Sequence, residues 1–158
     1  MQLTGAAAAT GVAATAAAVM ELLRAYEIPL QGRAAVVVGR SAIVGRPVAH
    51  LLELEGAHVE VAHSKTPDLG VVTRTAAVLV VAAGVRGLVR GEHVSPGTVV
   101  IDVGIHPSGD TIVGDVDAPS VEAQLGETGG LSPVPGGVGP MTSAILALHA
   151  AQAAERLV

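Results

Sequence analysis

Three short apolar runs constrain this chain more than any other feature. They are Ala-Ala-Val-Val-Val at 34–38, Ala-Val-Leu-Val-Val-Ala at 77–82 and Thr-Val-Val-Ile-Asp-Val at 98–103. A strand with one wet face alternates apolar and polar residues, whereas a strand covered on both faces reads as a continuous apolar run. Ala-His-Val-Glu-Val-Ala at 57–62 reads as a further strand. Helical spacing occupies the intervals. Over 14–26 it places Val19, Leu22, Leu23 and Tyr26 on one face, and over 44–55 it collects Val48, Leu51, Leu52 and Leu54. Pro29 and Gly32 end the first of these helices. A short helix is expected over 68–75 and a last one from about 141 to 156, while the glycine- and proline-rich stretch 126–140 reads as a loop. Strands alternating with helices predict βαβ units. The fold class is therefore α/β, a three-layer, Rossmann-like, doubly wound and mostly parallel sheet. It forms one domain over 1–158, with 1–12 as a poorly defined lead-in.

Composition narrows the function. A chain of 158 residues can bury one core. Tyr26 is its only aromatic residue and its net charge is -5, which argues against nucleic acid and against an anionic membrane surface. It has no cysteine, so disulfides, thiolate metal sites and cysteine nucleophiles are excluded. The first twenty residues carry no charge and are mostly alanine, with neither the basic start of a signal peptide nor the apolar strength of a membrane span. A cytoplasmic location is expected.

Ligands of such sheets bind beyond the carboxyl ends of the strands. The first run ends in Gly39-Arg40-Ser41, with Val44, Gly45 and Pro47 opening the next helix. Gly39 permits a tight turn, Gly45 a close backbone approach, and Pro47 suits a first helical turn. Helix N-termini hold anions, and Ser41 adds a hydroxyl. By spacing alone, the two glycines also fit a turn without a ligand. The second strand ends in His63-Ser64-Lys65-Thr66, where an NAD-type fold usually carries an acid for the ribose. With the acid missing, Arg40, Ser64 and Lys65 can donate to a 2′-phosphate, which favours NADP over NAD; a solvated loop is the bland alternative. Ala83 and Gly84 end the third strand, small enough for a dinucleotide to lie flat. Asp102, Asp115 and Asp117 read as buried, hydrogen-bonded structural acids. The six histidines lack metal-ligand spacing, and no metal site is expected.

In order along the chain stand Gly39-Arg40-Ser41-Ala42-Ile43-Val44-Gly45-Arg46-Pro47, His63-Ser64-Lys65-Thr66, Val100-Ile101-Asp102-Val103-Gly104-Ile105, Gly114-Asp115-Val116 and Pro133-Val134-Pro135-Gly136-Gly137-Val138-Gly139-Pro140-Met141-Thr142. This series resembles the methylenetetrahydrofolate dehydrogenase/cyclohydrolase family, in its C-terminal NAD(P)-binding domain, over about residues 13–150. The resemblance implies NADP as cofactor, a folate substrate and a homodimer. It places Arg40 and Ser64 at the 2′-phosphate beside His63, Lys65 and Thr66. It places Ser41 and the turn backbone (Gly39, Val44, Gly45, Pro47) near the pyrophosphate. Ala83, Gly84, Val103, Gly104 and Ile105 line the nicotinamide side, and Gly136, Gly137, Pro140 and Thr142 form the wall toward the folate.

Family members are roughly twice as long, and their N-terminal half carries a Tyr-x-x-x-Lys helix and a pterin-binding aspartate. Neither is found here: Tyr26 is followed by Leu30, and the sole lysine is Lys65. No catalytic residue is therefore expected in this chain, which is expected to be inactive by itself. Ala13-Ala14-Thr15-Ala16 stands where the family usually has Pro-Cys-Thr-Pro, and His149-Ala150 where it commonly has Asn-Thr. The alternative reading is a non-catalytic nucleotide-binding or assembly module derived from that family.

Overall fold

The structure is a computed structural model that describes residues 13–155. Helix α1 (Ala14–Ala25) leads into strand β1 (Ala34–Val38), helix α2 (Gly45–Leu54), strand β2 (His58–Ala62), the short helix α3 (Leu69–Thr73) and strand β3 (Val78–Val81). Strand β4 (Val99–Asp102) follows, then an antiparallel hairpin of β5 (His106–Ser108) and β6 (Thr111–Val113). Helix α4 (Ala118–Leu125), strand β7 (Gly130–Leu131) and helix α5 (Val138–Glu155) complete the chain.

Five strands form one parallel sheet in the order β2-β1-β3-β4-β7. The apolar runs explain it. Side chains alternate across a strand, so Val37 and Val80 face one side while Val36, Val38, Leu79 and Val81 face the other, all of them buried. Helices α1, α2 and α5 cover the first face, where Ala16, Val19, Leu23, Val48, Leu52 and Ile145 meet the sheet. The second face is covered by α3 and α4, through Leu69, Val72, Val121 and Leu125. These are the three expected layers. Arg24 ties two helices on the first face together, donating to Glu55 at the end of α2 and to Glu21 of its own helix at 2.8 Å.

Several boundaries differ from the sequence reading. Tyr26 and Leu54, assigned to apolar helix faces, are 75% and 64% exposed. The loop expected over 126–140 contains β7, and α5 begins at Val138 rather than 141. Pro140 had marked the end of that loop, but proline fits the first turn of a helix, where no intrahelical partner awaits its missing N–H. The hairpin and α4 were not anticipated. No helix among the described residues is long and apolar enough to cross a membrane.

Leu79 is fully buried at the centre of the sheet. We expect Leu79→Ala to cost about 2–5 kcal/mol in chemical denaturation, and Leu54→Ala, on the surface, to stay within about 0.5 kcal/mol.

Candidate functional site

Strand register aligns the chemistry. Ala62, Val38, Val81 and Asp102 pair in one row across β2, β1, β3 and β4, so the residues that follow them emerge along one edge of the sheet. From β1 the chain crosses to β2 on one side and then returns past β1 to β3 on the other. The strand order therefore reverses between β1 and β3, which is where open sheets of this kind bind ligands.

Gly39 sits at that reversal with φ +114°, and a side chain there would fall on the Ala82 carbonyl. Its N–H donates to the Ala62 carbonyl at 2.8 Å, joining the tips of β1 and β2. Gly45 packs its α-carbon against the Gly39 backbone with no space for a Cβ. Ser41, expected to offer a hydroxyl to a phosphate, uses its oxygen internally: Oγ accepts from the Val44 and Gly45 amides, both at 3.2 Å. Among the described residues, the amides of this turn without a hydrogen-bond acceptor are those of Arg40, Ser41, Ala42 and Ile43, all on exposed residues. Pro47 lies in the first turn of α2 and brings no N–H of its own.

The tip of β2 is a closed turn. The His63 N–H donates to Thr66 Oγ1 at 2.9 Å, the Thr66 N–H returns to the His63 carbonyl at 2.8 Å, and the Lys65 N–H reaches His63 Nδ1 at 3.1 Å. His63 and Thr66 thus shape the turn, while Ser64 and Lys65 are exposed on it. Arg40 is exposed just beyond the end of β1, and neither it nor Lys65 is in an ion pair among the described residues. No carboxylate stands in the segment 63–66.

A second group surrounds a cleft of about 550 Å³ lined by Val44, Val103, Gly104, Ile105, Gly136, Gly137, Pro140 and Thr142, together with Thr15 and Ile112. It joins residues expected on the nicotinamide side with those expected on the folate-side wall. The Thr142 hydroxyl is committed to the Val138 carbonyl at 2.9 Å, so this residue offers the cleft chiefly its methyl group. Ala83 and Gly84 do not line it. Their amides both turn to Asp115 Oδ2, at 2.7 Å each.

Two buried acids organise these strand ends. Asp102 Oδ1 accepts from the Gly104 and Asp115 amides at 2.9 and 3.0 Å, and Oδ2 from the Val116 amide at 3.1 Å. Neither Gly104 nor Gly114 has room for a side chain beside these carboxylates. Burial raises the Asp102 carboxyl above its ordinary pKa; the three amides pull it down, and the charge of Asp115 pushes it further up. Asp117, read with the other two acids, instead precedes α4 and is only half-buried, its side chain making no capping bond. His106, whose Nε2 lies 2.7 Å from Asp115 Oδ1, and Ser132, whose Oγ accepts the Asp102 N–H at 2.9 Å, escaped the sequence reading. The available signal was a histidine two residues beyond Gly104, facing an acid nine residues later across a Gly109-Asp110 turn.

The family model described as "Tetrahydrofolate dehydrogenase/cyclohydrolase, NAD(P)-binding domain" matches residues 13–158. The bifunctional protein FolD of Nocardia farcinica is 57% identical over 146 residues, which take in 92% of this chain and 50% of that protein. The FolD methylenetetrahydrofolate dehydrogenase/cyclohydrolase of Campylobacter jejuni superposes with a TM-score of 0.84 at 46% identity, over 92% of this chain and 51% of that one. The Trypanosoma brucei enzyme, solved with NADP cofactor and inhibitor, superposes with a TM-score of 0.78 at 43% identity, over 86% and 48% of the two chains. The chain spans about half the length of the relatives it matches.

A carboxyl whose pKa is higher folded than unfolded takes up a proton on folding between the two values. The part of stability that Asp102 contributes this way is present at low pH and lost as pH rises through its folded pKa. Thermal denaturation across an acidic pH series should therefore show wild type gaining on Asp102→Asn as pH falls; a gap independent of pH would contradict the raised pKa.

Proposed function

Because the chain belongs to the tetrahydrofolate dehydrogenase/cyclohydrolase family as its NAD(P)-binding domain, we propose that it binds NADP across the tips of β1, β2 and β3. The observation that carries the NADP reading is the pairing of an exposed Arg40 with exposed Ser64 and Lys65 on a β2 tip that lacks a carboxylate. A 2′-phosphate needs such donors, and the acid that serves an unphosphorylated ribose would repel it. The donor set therefore fits NADP. Arg40, Ser64 and Lys65 hold the 2′-phosphate, on the turn that His63 and Thr66 shape. The Gly39–Pro47 turn, with the amides of Ala42 and Ile43 and the hydroxyl proton of Ser41, lies at the pyrophosphate. Val103, Gly104 and Ile105 flank the nicotinamide end, with Ala83 and Gly84 supporting it from β3. Gly136, Gly137, Pro140 and Thr142 close the side toward the folate.

Bound there, NADP supplies the hydride acceptor for oxidation of methylenetetrahydrofolate to its methenyl form. In this reading the chain positions the cofactor, and the proton-transfer residues come from the half of the relatives' length that it does not span. Lys65 stays with the 2′-phosphate. A homodimer and a cytoplasmic location belong to the same proposal. Among the described residues the outer side of β2 has no strand partner, and Val61 of β2 is 37% exposed, the kind of edge that pairs with another chain.

Calorimetric titration should show tighter binding of NADP than of NAD, with little or no turnover of methylenetetrahydrofolate by the chain alone. Arg40→Ala should remove most of the preference by weakening NADP binding about tenfold or more, leaving NAD nearly unaffected. Equal affinity for the two cofactors in wild type, or a preference that survives Arg40→Ala, would refute the assignment. Light scattering should give twice the chain mass.

A further inference from the structure

Asp115 is fully buried, and its carboxylate joins two segments distant from each other in sequence. Oδ2 accepts both the Ala83 and Gly84 amides at 2.7 Å, and Oδ1 faces His106 Nε2 at 2.7 Å. A carboxylate only accepts, so Nε2 carries the proton. The backbone of Asp115 is itself held: its N–H donates to Asp102 Oδ1 at 3.0 Å, and its carbonyl accepts from the Val89 N–H at 3.1 Å. The groups it grips come from two separate segments at the nicotinamide end of the proposed cofactor site. Ala83 follows Ala82, the residue whose carbonyl leaves Gly39 no room for a side chain. His106 opens the β5–β6 hairpin, which carries Ile112 into the cleft beside Ile105.

We propose that Asp115 is a positioning residue for the dinucleotide, setting the spacing between the β3 tip and the hairpin root through one buried carboxylate. This rests on the cofactor reading above. Asp115 touches no cofactor; it acts through Ala83, Gly84 and His106. Removing it leaves two inward-facing amides without an acceptor, a costly state that the β3 tip relieves by moving. Because Ala82 is in contact with Gly39, that movement reaches the β1 turn.

The test compares wild type, Asp115→Ala, Asp115→Asn and His106→Gln of the full chain by NADP calorimetry. Amide hydrogen exchange without cofactor is measured in parallel. Asp115→Ala should weaken NADP binding about tenfold or more at unchanged stoichiometry, and should speed exchange at Ala83 and Gly84. Asp115→Asn keeps the shape but loses the charge and one acceptor, and should fall between wild type and alanine, so it carries the test if the alanine variant does not fold. His106→Gln should loosen the hairpin while Ala83 and Gly84 stay protected. A lowered stoichiometry with unchanged Kd in Asp115→Ala marks a merely structural role and overturns the inference. If wild type binds neither NADP nor NAD, the cofactor reading fails first, and the exchange data still decide the clamp: unaltered protection of Ala83 and Gly84 in both Asp115 variants overturns it.

Discussion

The central strands of the sheet are covered on both faces, and that constraint governs everything else in this chain. A strand packed from both sides has no place for a polar group without a partner, so β1 and β3 are apolar from end to end. Chemistry is pushed out of the sheet to the strand tips. Parallel register then brings those tips to one edge, and the strand order reverses between β1 and β3. The polar exception, Asp102, sits at the last position of β4, where the ladder ends and amides need an acceptor.

The two buried carboxylates relate loops that are distant in sequence. Asp102 accepts amides from Gly104, Asp115 and Val116, and Asp115 accepts amides from Ala83 and Gly84. Five backbone donors at the strand ends thus converge on two side chains. Hydrogen bonds to a charged acceptor are shorter and stronger than neutral ones. The glycines at 104 and 114 are required for the opposite reason: they supply nothing and leave the carboxylates room. The phosphate side follows a different rule. The β2 tip closes on itself through His63 and Thr66, so the side chains of Ser64 and Lys65 project from a turn already hydrogen-bonded within itself.

Long apolar runs and helical spacing were legible because each carries its own periodic signal. Helix α1, helix α2 and the strands β1 to β4 emerged near their expected bounds. The hairpin, α4 and β7 were not, since elements of two, three and eight residues carry too little pattern to rise above their neighbours. At the site, the residue types of the β1 turn and the β2 tip were readable, but the internal use of Ser41 was not. A serine before a helix can donate to a ligand or accept from its own backbone, and only coordinates show which.

The sequence by itself determined the layered α/β fold, the location of chemistry at the strand ends and the absence of an acid on the β2 tip. Each of these depends on residue type and spacing within a short stretch. Tertiary structure alone decided that Asp115 reaches Ala83, thirty-two residues earlier, and that Thr142 spends its hydroxyl on its own helix. It also decided that the 126–140 stretch folds back as an edge strand and a wall of the cleft. Contacts across such distances depend on how the strands stack, and no local pattern records that.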